Sequence, residues 1–220
     1  MIEYYIGLSL APSATIETGV AVLDNNNKFI LIDKLFTMKD VQHFFDNFSS
    51  LKQSRICISL PWDNTLMTGK WRILSKPYQF LHTQNKMDFI NTDNWLQRFS
   101  NRGCDYFYPM LEKGIDITRF DLYLAKQKLD LYSHYKLRSP ADCKFLQNIL
   151  KVEYGFNDIP ANMMPMAQLE AIVGAILARE NYKNSHNIKR VSTFKDFSVI
   201  DVVKCPKNQF EIGQQEIICP

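Results

Sequence analysis

At 220 residues the chain suits one domain with insertions, and it is long enough to bury a core. Its 46% hydrophobic and 22% charged residues are ordinary globular composition. A net charge of +3 permits a nucleic-acid partner but does not argue for one, because dedicated binders carry a strong basic patch. The five cysteines (Cys57, Cys104, Cys143, Cys205 and Cys219) are scattered and form no C-x-x-C pair, which excludes a readable zinc site or disulfide framework. No basic segment followed by an apolar one opens the chain, and no apolar run approaches the roughly 20 residues of a membrane span. The expectation is a cytoplasmic protein with no membrane partner.

Residues 2–10 alternate, with Ile6, Leu8 and Leu10 on one side and Gly7 and Ser9 on the other, as in a strand. Residues 18–24 and 28–36 are two further β-rich runs, and the Asn25–Asn27 turn between them predicts an antiparallel hairpin. Thr37 and Asp40 then open a helix with a capping-box start, whose apolar face carries Met38, Val41, Phe44, Phe45 and Phe48. A short apolar β run at 54–61 is stopped by Pro61, so the opening order is β-β-β-α-β.

Residues 62–86 read as a loop or lid, and 88–101 as a helix stopped by Gly103. The stretch 118–132 reads as a short strand leading into a helix, although Thr118 with Asp121 also fits a helix cap. A helix is predicted after Ser139-Pro140 over 139–151. Residues 163–178 form a helix apolar all round except at Gln168 and Glu170, and such a helix is buried. Residues 181–190 read as a polar, basic loop, and the end offers one or two short strands. One domain over 1–220, with an irregular insertion at about 62–115, is the economical organisation.

Glu170 is the first candidate. A carboxylate in an apolar helix is costly to bury unless paired, hydrogen-bonded or metal-bound. Past the first turn it gains little from the helix dipole. It therefore needs a partner, either Arg, Lys or backbone, or else a metal ion. Ser9 and Ser59 each sit near the carboxyl end of a predicted strand, where α/β sheets build their sites. Each is otherwise a small polar strand-end residue, and neither has the neighbours of an activated nucleophile. His43, His82, His134 and His186 are isolated. Asp63, just after the fourth strand, is either a turn residue or an acid standing in for Ser59. Lys70, Arg72 and Lys76 interleave with Trp62, Trp71 and Tyr78, which suits a nucleic-acid strand or simply a solvated loop. Lys183, Lys189 and Arg190 carry the same double reading.

The β-β-β-α-β opening and the late buried helix with one acid resemble the ribonuclease-H-like fold. More narrowly, the chain resembles the family of predicted ribonuclease-H-like nucleases that are distant relatives of Holliday-junction resolvases. The motifs are "YYIGLSLA" for strand one, "ISLP" at 58–61 for the end of strand four, "FDLYLA" at 120–125, "LEAIVGAILA" at 169–178, and "GQQEIICP" at the chain end. The resemblance implies an α/β fold with a mixed five-stranded sheet in the order β-β-β-α-β-α-β-α and helices on both faces. It also implies a divalent-metal site whose acidic slots fall on Ser9, Ser59, Asp121 and Glu170.

Two of those slots hold serine, a neutral and poorer ligand for a hard cation. Asp121 and Glu170 would remain as the metal ligands, holding one Mg²⁺ or Mn²⁺ weakly. A two-metal clamp would be lost. The implied protein is then a pseudoenzyme that binds nucleic acid or protein. The alternative is a working nuclease with a rearranged site of Glu170, Asp121 and Asp63. A third class is a nucleotide or phosphate binder on the actin-like version of the fold. Residues 9–19 have hydroxyls for that but lack a glycine-rich loop.

Overall fold

The computed structural model describes residues 2–11, 17–60, 95–194 and 197–207. The chain runs β1 (Tyr4–Ser9), β2 (Thr18–Asp24), β3 (Phe29–Leu35), α1 (Met38–Asn47), β4 (Ser54–Ser59), α2 (Trp95–Glu112), β5 (Asp116–Phe120), α3 (Leu122–Lys128), α4 (Pro140–Val152), α5 (Met166–Lys183), β6 (Ile188–Phe194) and β7 (Phe197–Val202). The described strands form one mixed seven-stranded sheet in the order β3-β2-β1-β4-β5-β7-β6. β1 pairs antiparallel with β2 and parallel with β4; β5 pairs parallel with both β4 and β7. The hairpin expected around Asn25–Asn27 is the β2–β3 connection, with Asn27 in left-handed backbone at φ +63°.

Alternation along the strands divides the core in two. Ile6, Leu8, Val20, Ile56, Ile58 and Ile117 pack on one face with Val41 and Phe45 of α1 and Phe107 of α2. Tyr5, Ala21, Cys57 and Phe120 pack on the other with α3, α4 and α5. Thr37 and Asp40 make the reciprocal capping box their spacing predicts. Ser139 caps α4, with Pro140 in the first turn. Among the described residues no helix is long and apolar enough to cross a membrane.

Helix α5 is buried on all sides, as its composition requires. It lies directly over β1 and β2 because each strand places a glycine beneath it. A Cβ on Gly7 would sit 1.9 Å from the Ala171 carbonyl oxygen, and one on Gly19 would sit 1.8 Å from that of Ala167. Gly174 answers from the helix, where an added Cβ would come within 2.9 Å of the Gly7 Cα. Backbone therefore rests on backbone. This close seating carries the first half of α5 over the carboxyl end of β1.

Three expectations need correction. Gly103 does not end a helix: α2 continues to Glu112. Gly103 serves packing, since an added Cβ would lie 2.7 Å from Leu60 Cδ2. The stop is Gly114 at φ +78°, where the Gly114 amide donates to Leu111 O and the Ile115 amide to Met110 O. The irregular insertion accordingly gives way to helix at residue 95. Residues 181–190 are not a loop: they hold the end of α5, a 3₁₀ turn at Ser185–Asn187 and the start of β6. β6 is an edge strand, and its exposed Lys189 and Arg190 disguised it, because an edge needs charge rather than an apolar run. With β6 and β7 the sheet has two strands beyond the five expected. The segments 62–86 and "GQQEIICP" lie outside the described residues.

Candidate functional site

The carboxyl ends of β1, β4 and β5 lie side by side. Leu8 stands opposite Ile58, so the next residues, Ser9 and Ser59, are neighbours. Ser59 stands opposite Phe120, the last residue of β5, and Asp121 follows it. Glu170 enters from above on α5. The Ser9 hydroxyl donates to Glu170 Oε2 at 3.1 Å. Ser9, Ser59, Asp121 and Glu170 thus belong to one end of the sheet. Asp63, Lys70, Arg72 and Lys76 lie outside the described residues.

The partner that Glu170 requires is Arg138. Glu170 is only 1% exposed, and Arg138 Nη2 donates to the same Oε2 at 2.6 Å. The Glu170 carboxylate holds the guanidinium above its usual pKa, against the opposing effect of burial. Arg138 is delivered by the turn before α4. Its backbone is left-handed at φ +61°, a conformation a non-glycine residue holds only when its surroundings fix it. Asp142 fixes it: Oδ2 accepts the Arg138 amide at 2.8 Å, while Oδ1 accepts the Ser133 hydroxyl. Asp142 is itself set by its position in the first turn of α4, where its amide donates to Ser139 Oγ. A continuous chain of bonds therefore runs Ser133–Asp142–Arg138–Glu170–Ser9.

Asp121 is placed differently from a strand carboxylate. It is the N-cap of α3, and its Oδ1 accepts from the Tyr123 and Leu124 amides at 2.9 and 3.0 Å. Its charge is also felt at Arg119, whose guanidinium burial pulls below its usual pKa.

Motif reasoning also missed two buried polar side chains on the helices of this face. Lys126 of α3 is 2% exposed. Cys143 of α4 is also buried, and burial pushes its thiol up in pKa. Asp142 and Glu170 push the same thiol up, while Lys126 and Arg138 oppose them. The signal for Lys126 was in the sequence: Leu122, Lys126 and Leu129 stand at i, i+4 and i+7, which puts the lysine on the buried stripe. Arg138 left no such signal.

The divalent ion implied by the resemblance does not fit these residues. Mg²⁺ requires several hard oxygen ligands. Glu170 Oε2 is committed to Arg138 and Ser9, and Asp121 Oδ1 to two amides. Among the described residues, no three His, Cys, Asp or Glu side chains converge as a metal set would. What the arrangement offers instead is a fixed guanidinium and two hydroxyls at a sheet's carboxyl end. Set against family models, curated proteins and solved structures, the chain matches none of them.

Proposed function

We propose that the protein is a ribonuclease-H-like domain whose ancestral metal site has become an ion-paired binding site, and that it acts by binding rather than hydrolysis. The strand order β3-β2-β1-β4-β5, with β2 alone running against the other four and a buried acid-bearing helix over β1, supports the fold assignment. One observation carries the functional reading: Arg138 meets Glu170 where a metal ion would have to sit, with a serine from β1 on the same oxygen. A guanidinium there supplies the positive charge that a cation would otherwise bring. It cannot lower the pKa of a bound water or clamp both oxygens of a phosphoryl transfer. The partner is nucleic acid or protein.

The test is an endonuclease assay on single-stranded, duplex and branched DNA and RNA with Mg²⁺ or Mn²⁺. The expected result is no metal-dependent cleavage above a Glu170→Ala control. Turnover that Glu170→Ala abolishes would establish the rearranged nuclease of Glu170, Asp121 and Asp63 and end this reading.

A further inference from the structure

Helices α1 and α2 share one face of the sheet, opposite the face that α5 covers. Toward the amino ends of β4 and β5, a cleft of about 280 Å³ opens between these two helices. Its apolar lining is Phe45 of α1, Met110 of α2, and Leu51 and Ile115, which lie just ahead of β4 and β5. Phe45 and Ile115 are core side chains, 5% and 6% exposed, so the cleft reaches the edge of the core itself. Tyr106 also lines it, and its hydroxyl already donates to the Met38 carbonyl at 3.0 Å. It therefore offers the cleft a ring rather than a donor.

Two charges stand at this apolar lining, Asp46 on α1 and Lys113 just past the end of α2. Both are exposed, and among the described residues neither side chain has a hydrogen-bond or ion-pair partner. A lone exposed charge asks for nothing, because water solvates it. An acid and a base held by different helices at one hydrocarbon cleft, both unspent, form a pattern that a ligand can match. The volume is just below the roughly 300–1,000 Å³ of drug-sized pockets, so the occupant is small. An amine alone would leave Lys113 unmatched, and a carboxylate alone would leave Asp46 unmatched. A neutral apolar molecule would use neither. An ammonium and a carboxylate on one apolar body use both charges and the lining together, and the flexible four-carbon stem of lysine gives Lys113 the reach.

We propose that the cleft between α1 and α2 binds a free α-amino acid with an apolar side chain. Its ammonium faces Asp46, its carboxylate faces Lys113, and its side chain rests on Phe45, Leu51, Met110 and Ile115. The cleft lies on the other face of the sheet from α5 and Glu170, so it stands apart from the binding role argued for that end.

The test is thermal unfolding and calorimetry of the full chain with L-leucine, L-methionine and L-phenylalanine. At least one is expected to give a saturable rise in Tm. Lys113→Met and Asp46→Asn are each expected to weaken binding by about tenfold or more, the loss of one charge-assisted contact. Both positions are exposed, so both variants are expected to keep the wild-type Tm without ligand. The amine and the carboxylic acid that each keep one end of the best binder are expected to bind about tenfold more weakly or worse.

Absence of a saturable shift with all of these amino acids would overturn the proposal. So would equal binding of the matching amine or acid, or undiminished binding in either charge variant. Equal binding of the best binder's N-acetyl amide would overturn it as well, because the cleft would then take a neutral stretch of peptide chain.

Discussion

Glu170 and Glu180 are both buried on α5, one toward each end, and their surroundings differ in kind. Glu180 is surrounded. Arg179 Nη1 donates to it at 2.6 Å, Asn184 Nδ2 reaches both its oxygens at 3.1 Å, and Asn187 Nδ2 donates at 2.5 Å. Arg179 is itself tied to Asn27 of the β2–β3 turn, at 2.7 Å. Every one of these partners comes from α5, the turn after it or the adjoining hairpin. Glu170 instead depends on one half-exposed arginine held in left-handed backbone by a second carboxylate. The first arrangement closes the fold. The second leaves part of a guanidinium facing outward. A buried carboxylate does not by itself announce function; the difference lies in whether its partners are used up.

The largest expected effect is at the closed end. Glu180→Ala would strand Arg179, whose side chain is 9% exposed, along with two asparagine amides. Breaking such a buried pair costs about 3–5 kcal/mol. Chemical denaturation should show that loss. A loss below that of Glu170→Ala would dissolve the contrast.

Gly7 lies between the two ends. Gly7→Ala drives a methyl group into the α5 backbone, and overpacking of this kind costs about 1–3 kcal/mol, sometimes more. Because α5 must lift away from β1, the Ser9–Glu170 bond should open as well. Chemical denaturation of this variant should show the loss of stability.

At the open end the penalty is smaller. In Glu170→Ala, Arg138 can turn to water, so the loss is expected near 1 kcal/mol, about that of a hydrogen bond. Chemical denaturation should show this smaller loss, and one as large as that of Glu180→Ala would mean that the two carboxylates are held alike.

Much of the fold was legible in short-range chemistry. The period-2 run of β1, the Thr37–Asp40 box and the Ser139-Pro140 cap are local signals, and local signals survive without tertiary information. Glu170 was legible as a carboxylate needing a partner, but the partner was not. Arg138 is distant in sequence and reaches Glu170 only through a left-handed turn that a non-glycine residue does not advertise. Gly103 misled because glycine marks both helix ends and close contacts, and only the position of Leu60 separates the two. Ser59 and Asp121 gained meaning only from strand register.

The smallest effect sharpens the closed end by titration. Tyr5 is buried beneath the second half of α5, its hydroxyl donating to Asn25 Oδ1 at 2.9 Å, with the Tyr182 ring 6.2 Å away. Burial pushes its pKa from 10.0 to about 12, despite the opposing charges of Arg179 and Arg55. The folded state therefore keeps a proton that the unfolded chain gives up first. The stability this represents is fully present below pH 10 and is lost as pH climbs toward 12. Tyr5→Phe removes that term. Its unfolding free energy, followed by urea denaturation across this window, should fall less steeply than wild type's, by at most the slope of one proton. An equal change of slope in Glu170→Gln would show that the two ends of α5 are coupled and that the closed one is not self-contained.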